Sequence, residues 1–321
     1  MRLVFMGSSE FAVPSLKALG EAGHGIAAVV TRPDRPRRRR FDPPGPTPVG
    51  AFAESIGLPV LRPTSARDPA FAGSLGELAP ECVIVAAYGQ ILPREILAIP
   101  PRWCINLHAS LLPRWRGAAP IARALLAGDR VTGVTTMRMD EGLDTGDILL
   151  QAECAIGLDE TAGRLERRLA DLGARLLVDT MERHAAGRLE PRRQDARDAT
   201  EAPKLTRADG VIDWSEPAER IANRVRACNP WPLAATQLRG ETVRVLRAEA
   251  SFEKVQPRGS GASPGRILRV DGERGLVLCG GATCLAILEL QWPGRRPTTA
   301  RDAINGRLIR AGDHLGPAPI G

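Results

Sequence analysis

The 321-residue sequence lacks the features that would assign it to several large classes of protein. No run of 18 or more apolar residues occurs, which excludes an ordinary transmembrane helix. The apolar part of the opening stretch MRLVFMGSSEF is too short for a signal peptide and is typical of a first strand. Hydrophobic residues make up 43% and charged residues 25%, as in globular proteins, and the length predicts about two domains. We expect the protein to act in the cytosol.

Signatures of metal and nucleotide binding are also missing. The six cysteines form no C-x-x-C pair and no combination with histidine at metal-ligand spacing. We therefore interpret them as reduced, mostly core residues and expect no bound metal. Neither G-x-G-x-x-G nor G-x-x-x-x-G-K-[ST] follows the first strand, which disfavours a Rossmann oxidoreductase and a nucleoside triphosphatase.

Lysine is scarce, with Lys17, Lys204 and Lys254 the only three among 44 basic residues. An arginine bias can be genomic, so the net charge of +7 is weak evidence, whereas its distribution is informative. From Lys204 onward, 18 basic and 12 acidic side chains give +6, while residues 1–203 carry only +1. A basic second half is typical of a protein that binds a polyanion such as RNA, and a generic basic surface would explain it as well.

Strand and helix patterns alternate along the first half of the chain. Continuous apolar runs, as in strands buried on both faces of a parallel sheet, occur at 2–6, 25–31, 81–87 and 103–108. Helical stretches between them give the βαβ pattern of a Rossmann-like, doubly wound, mostly parallel sheet in an α/β fold. Two further strands are predicted at 131–139 and 148–156, and leucine spacing predicts a helix over 159–187.

The second half has a different organisation. The polar segment 190–203, with a proline near each end, is typical of a linker. Short β runs separated by glycine-rich turns follow it and predict a smaller β-barrel domain.

The stretch INLHASLLPRWRGAAPI contains the best candidates for chemistry. Asn106 and His108 are two positions apart on a predicted strand, so they share one face at its carboxyl end, where open α/β sheets bind ligands. An amide beside an imidazole suits oxyanion stabilisation and proton transfer. An acidic loop could supply a carboxylate from Asp140, Glu141, Asp144 or Asp147. Spacing does not choose among these four, and a polar strand end with a solvated turn explains the same residues without any function.

At this point the residues resemble a known family. INLHASLLPRWRGAAPI, followed by GVTTMRMDEGLDTGDIL, is similar to the folate-dependent formyltransferases. Further matches are FMGSSEFAVPSL, TRPDRP, AAYGQILP, KLTRADGVIDW, NPWP and INGRLIRAGD, spread over nearly the whole chain. The resemblance implies transfer of the formyl group of 10-formyltetrahydrofolate to the α-amino group of methionine esterified to initiator tRNA. Since a formyl carbonyl is already electrophilic, we expect this transfer to need no metal. We expect a monomer.

The resemblance also implies a domain plan and a set of site residues. The plan is a Rossmann-like catalytic domain over 1–189, a linker over 190–203, and an OB-like β-barrel tRNA-binding domain over 204–321. The implied catalytic residues are Asn106, His108 and Asp144. The implied folate contacts are Tyr88, Gln90, Ile91, Leu92, Ser110, Leu111, Leu112, Pro113, Met139 and Asp140. The implied contacts with tRNA or its methionine are Gly7, Ser8, Phe11, Arg35, Arg37, Arg38, Arg39, Arg40 and Lys204.

The sequence departs from the family pattern in two places. After RPDRP it has RRRRFDPPG where the family usually has glycines and lysines, and Ser8-Ser9 follows Gly7 where the family usually has Thr-Pro. The particular arginine that would recognise the acceptor end is therefore not identified. The roles of Arg114, Trp115 and Arg116 stay open among solvent, folate and acceptor stem.

Two alternatives fit part of the sequence. A formyltransferase acting on a sugar-nucleotide amine or on glycinamide ribonucleotide would share the catalytic trio and would need no RNA-binding barrel. A non-catalytic RNA-binding protein would explain the charge but not the combination of Asn106, His108 and Asp144.

Overall fold

A computed structural model describes residues 1–34, 45–251, 253 and 263–319. The chain forms two compact units. The first comprises residues 1–120, 131–155 and 166–203, and the second comprises residues 121–130, 156–165 and 204–321.

The first unit is built on a seven-stranded sheet. Its strands are β1 (Arg2–Gly7), β2 (Gly25–Val30), β3 (Val60–Leu61), β4 (Cys82–Ala86), β5 (Cys104–His108), β6 (Val131–Arg138) and β7 (Ile148–Ala155). They lie in the order β3-β2-β1-β4-β5-β6-β7; β1 to β5 are parallel, and β6 and β7 are antiparallel to their neighbours. The strand order reverses between β1 and β4, and such a switch point is where open α/β sheets bind ligands.

Helices lie between these strands and after the last one, as the alternating pattern predicts. They are α1 (Val13–Glu21), α2 (Pro48–Ser55), α3 (Pro69–Glu77), α4 (Arg94–Leu97), α5 (Pro120–Ala127) and α6 (Ala162–Ala185). Most of α5 belongs to the second unit and most of α6 to the first. Thr47 and Asp68 cap α2 and α3 by accepting hydrogen bonds from the Gly50 and Ala70 amides.

The core of the first unit explains why its strands read as unbroken apolar runs. Every residue of β4 and β5 is buried. Val4, Met6, Val83 and Val85 pack in one cluster with side chains from the helices and loops. Burial on both faces leaves β4 without polar alternation, which is the signal of a covered parallel sheet.

The second unit is built on antiparallel strands. Its elements after α5 are α7 (Ala218–Ala227), β8 (Ala234–Leu238), β9 (Glu241–Ser251), β10 (Ile267–Val270), β11 (Gly275–Leu278), β12 (Cys284–Gln291), β13 (Thr298–Thr299), α8 (Ala300–Asn305) and β14 (Leu315–Pro317). The sheet order is β10-β11-β12-β9-β8-β14, with β13 paired to β12. A bridge between Arg266 and His314 joins the two ends of this order, so the sheet closes on itself around a core that includes Trp214 and Ile221.

These two architectures confirm the predicted fold class, a Rossmann-like mostly parallel sheet followed by a smaller β-barrel. Among the described helices, none has both the length and the apolar character needed to cross a bilayer. The predicted domain boundaries stay predictions.

Candidate active site

Strand β5 delivers two polar side chains to the carboxyl edge of the first sheet. Asn106 and His108 are only 9% and 6% exposed. Their neighbour Leu107 points to the opposite face, where a side chain at Gly173 of α6 would collide with it. The strand therefore separates a packing face from a polar face, as the period of two predicts.

Asp144 comes to the same place from the loop between β6 and β7. Its Oδ1 lies 3.5 Å from Asn106 Nδ2, and its Oδ2 lies 3.6 Å from His108 Nδ1. The Gly117 amide donates to Oδ2 at 2.9 Å. Asp144 has a φ of +53°, a left-handed conformation that aspartate adopts more readily than most residues. Of the four acidic candidates in this loop, Asp144 is the one that converges with Asn106 and His108.

The second nitrogen of His108 is also engaged. Its Nε2 lies 2.8 Å from the carbonyl oxygen of Trp115. Since a carbonyl can only accept, Nε2 carries a proton in this contact. Nδ1 then faces a carboxylate, so both ring nitrogens face oxygen acceptors.

The residues expected to contact folate near β4 have different environments. Tyr88 is 1% exposed, and burial raises the pKa of its hydroxyl to about 12. Gln90 accepts a hydrogen bond from the Ala66 amide, and Leu92 is buried in the core. Ile91, in contrast, is 62% exposed. Within this segment, Ile91 is therefore the side chain that is open to a ligand.

The Ser110–Pro113 turn is held from within the first unit. Ser110 Oγ donates to the Arg114 carbonyl at 2.6 Å. The Leu112 amide donates to Thr135 Oγ1, and the Leu112 carbonyl accepts from Gln151 Nε2. The side chain of Leu112 is buried, while Leu111 and Pro113 are partly exposed. The turn is thus fixed in shape beside His108.

The acidic loop lies next to the segment that follows β4. Met139 packs against the core cluster that contains Tyr88, and Arg94 pairs with Glu141 at 3.8 Å. Asp140 accepts hydrogen bonds from the Gly142 amide and the Thr145 hydroxyl, which shape the loop. Two segments predicted from separate motifs therefore form adjacent walls.

The expected substrate contacts are only partly brought together. Ser8, at the end of β1, donates to the Tyr88 carbonyl at 3.1 Å, so the turn after Gly7 lies at the switch point. Phe11 is 5% exposed and belongs to the core. Lys204 is exposed in the second unit. Arg35, Arg37, Arg38, Arg39 and Arg40 lie outside the described residues.

The three residues with open roles also have positions in the first unit. Arg114 is exposed, with its guanidinium 5.6 Å from the centroid of the Trp115 ring. The Trp115 amide donates to Thr200 Oγ1 at 2.8 Å. Arg116 donates through Nε and Nη2 to Gln194 Oε1 at 3.0 and 2.8 Å. Thr200 and Gln194 both come from the 190–203 segment, which sequence reasoning did not connect with the site.

The described part of the chain contains no group of three or more His, Cys, Asp or Glu side chains placed to hold a metal ion. The site consists instead of an amide, an imidazole and a carboxylate at the end of a sheet.

Comparison with known proteins assigns this chain to a family. The family described as Formyl transferase matches residues 1–181, and the one described as Formyl transferase, C-terminal domain, matches residues 204–308. The chain therefore belongs to the formyl transferase family, which confirms the predicted resemblance.

Its relatives of similar length have a narrower description. A methionyl-tRNA formyltransferase from Heliobacterium modesticaldum is 48% identical over 98% of this chain and 100% of its own length. One from Anaeromyxobacter dehalogenans is 46% identical over 95% of this chain and 97% of its own. A solved N-formyltransferase from Helicobacter canadensis, in complex with folinic acid and dTDP-3-aminofucose, has a TM-score of 0.66 at 17% identity, covering 89% of this chain and 98% of its own. That structure supports the fold alone.

Proposed function

We propose that this protein transfers the formyl group of 10-formyltetrahydrofolate to the α-amino group of methionyl-initiator tRNA. The product would be N-formylmethionyl-tRNA for translation initiation, made in the cytosol. The similarity to methionyl-tRNA formyltransferases over nearly the whole chain supports the choice of methionyl-tRNA as the acceptor. The observation that carries the chemistry is the convergence of Asn106, His108 and Asp144 at the end of β5.

Each member of the trio has a role in this proposal. Attack by an amine on a formyl carbon builds negative charge on the formyl oxygen. The Asn106 amide has two N–H groups, and Asp144 takes one, so the other can donate to that oxygen. Such a donor contributes about 10²–10³ in rate.

His108 and Asp144 would move protons. The imidazole would donate to the developing oxyanion, either exchanging its Trp115 carbonyl bond for the substrate or using Nδ1. The Asp144 carboxylate can accept the amine proton directly or through water. As the tetrahedral intermediate collapses, the bond between the formyl carbon and the folate nitrogen would break, and that nitrogen would take up a proton as tetrahydrofolate leaves. General acid–base assistance of this kind contributes about 10²–10⁴ in rate.

The walls of the site suit a reduced pterin. 10-Formyltetrahydrofolate would supply an electrophilic formyl carbon. Ile91 and Leu143 are 62% and 61% exposed, and each lies close in sequence to one partner of the Arg94–Glu141 ion pair. Exposed apolar side chains beside polar groups are the usual lining of a small-molecule site. We propose the segments that carry Ile91 and Leu143, with the Ser110–Pro113 turn, as the folate site.

The second unit would hold the tRNA. We propose the boundaries given above, with 204–321 as the tRNA-binding domain and 190–203 as the linker. The excess of six positive charges after residue 203 suits the phosphate backbone, and the arginines between positions 35 and 40 would add to it. Contacts with phosphate release counterions, so binding should weaken steeply with added salt. We propose that the protein works as a monomer.

The direct test is a formylation assay with the full chain. Incubation with 10-formyltetrahydrofolate and methionyl-initiator tRNA should give N-formylmethionine after hydrolysis of the ester. The same reaction with uncharged tRNA and free methionine should stay blank, and the KM for tRNA should rise with ionic strength more steeply than the KM for folate. Formylation of a sugar-nucleotide amine or glycinamide ribonucleotide in place of the charged tRNA would overturn the proposal, as would RNA binding without turnover.

A further inference from the structure

Gln194 is a buried amide that reaches the candidate active site from the 190–203 segment. Its side chain is 8% exposed. Nε2 donates to the carbonyl oxygens of Asp144 and Gly146, at 2.9 and 2.7 Å. Both N–H groups of this amide thus donate hydrogen bonds to the backbone of the loop that carries Asp144.

The oxygen of the same amide holds the other side of the site. Gln194 Oε1 accepts from Arg116 Nε and Nη2. Arg116 lies between Trp115, whose carbonyl faces His108, and Gly117, whose amide donates to Asp144. One side chain therefore connects the two backbone segments that fix the orientation of His108 and Asp144.

The rest of the segment reinforces this connection. Arg192 exchanges two backbone hydrogen bonds with Ile148, each 2.8 Å. The Arg116 amide donates to the Thr200 carbonyl, and the Ala202 amide donates to the Arg116 carbonyl. A side chain at Gly117, which has a φ of +124°, would meet the Ala202 carbonyl at 2.7 Å. The segment is thus closely fitted to the backbone around the trio.

The conformation of Asp144 needs such support. A non-glycine residue in the left-handed region persists only when its surroundings determine it. The carboxylate lies at the limit of hydrogen-bond range from Asn106 and His108, at 3.5 and 3.6 Å, so a small shift of the loop would separate the trio. A misplacement of about 1 Å at a reacting group can cost about 10²-fold in rate.

We infer that Gln194 is a positioning residue for catalysis, which holds the Asp144 loop and the Arg116 turn in the geometry that the trio needs. This role also gives Arg116 a function, because its guanidinium donates two hydrogen bonds to Gln194. The kinetic part of the inference rests on the proposed function, while its structural part does not.

The test compares Gln194→Met and Gln194→Glu in the full chain. Methionine keeps the length and loses all four hydrogen bonds, so kcat should fall about 10–10²-fold with the KM for tRNA and for folate little changed. Glutamate keeps an acceptor for Arg116 but loses both donors to the loop, so the kcat of Gln194→Glu should also be lower than that of wild type. Full kcat in both variants, or in Gln194→Glu alone, would overturn the inference.

Three controls separate positioning from general stability. Arg183→Met, which removes a side-chain hydrogen bond to Asp179 on α6 of the first unit, should keep wild-type kcat. Adding Gln194→Met to Asp144→Asn should cost less than about threefold more, because the two act through one group. Amide exchange in a peptide containing Gly117 should be faster in Gln194→Met than in wild type, and unchanged exchange would contradict the inference even if the wild-type protein formylates no tRNA.

Discussion

Two histidines of this protein are buried to nearly the same degree and differ in what surrounds them. His108 is 6% and His184 is 9% exposed, and each has Nε2 next to a backbone carbonyl, of Trp115 at 2.8 Å and of Arg102 at 3.1 Å. His184 stacks on Trp103, with ring centroids 4.7 Å apart. His108 faces the Asp144 carboxylate instead.

The difference shows which features mark a histidine for chemistry. Burial and a carbonyl partner occur in both residues, so neither feature distinguishes them. Burial lowers the pKa of His184, and its flat face packs against an indole, which is how a neutral structural histidine is held. Only His108 has a carboxylate at its second nitrogen and an amide donor two residues before it on the same strand face.

The largest expected effect comes from making the same substitution at both histidines. His108→Gln should reduce kcat by about 10²–10⁴, because it removes the group that would transfer a proton in the transition state. His184→Gln should leave kcat little changed and act on stability instead. Formylation kinetics and urea unfolding of the two variants measure both outcomes. Equal losses of kcat would show that the comparison between the two histidines is wrong.

A somewhat smaller effect is expected from the amide beside His108. Asn106→Ala should lower kcat by about 10²–10³, the contribution of one oxyanion donor. Its hydrogen bond to Asp144 is 3.5 Å long, so the free energy of unfolding should change by less than about 1 kcal/mol. Near-normal turnover in this folded variant would remove Asn106 from the site.

A site residue is easier to predict from the sequence when neighbouring residues fix its position than when residues far along the chain do. Asn106 and His108 were predictable because a strand alternates its faces locally, and β5 was visible as an apolar run. Asp144 was not chosen by spacing, since its place depends on a left-handed backbone held by Gly117 and Gln194, the latter 50 residues away. The resemblance to a family supplied that choice.

The 190–203 segment also makes long-range contacts that the sequence pattern does not reveal. Its composition, polar with proline near both ends, is that of a linker, and composition says nothing of which polar groups find partners. In the structure the Gln194 side chain and the Thr200 hydroxyl both form hydrogen bonds with the backbone around the site. The helix predicted over 159–187 begins at Ala162 and ends at Ala185, because helix ends depend on local caps rather than on leucine spacing.

The smallest expected effect is a pH dependence that belongs to His184 and sharpens the contrast with His108. Because burial holds the pKa of His184 below its ordinary value in the folded state, the unfolded chain takes up this proton at higher pH than the native protein does. The free energy of unfolding should therefore fall as pH drops through about 6.5. Urea unfolding between about pH 7.5 and about pH 5.5 should show a larger loss in wild type than in His184→Gln, because the variant has no proton to gain at this position. Parallel losses in the two proteins would mean that His184 is not held neutral by the fold.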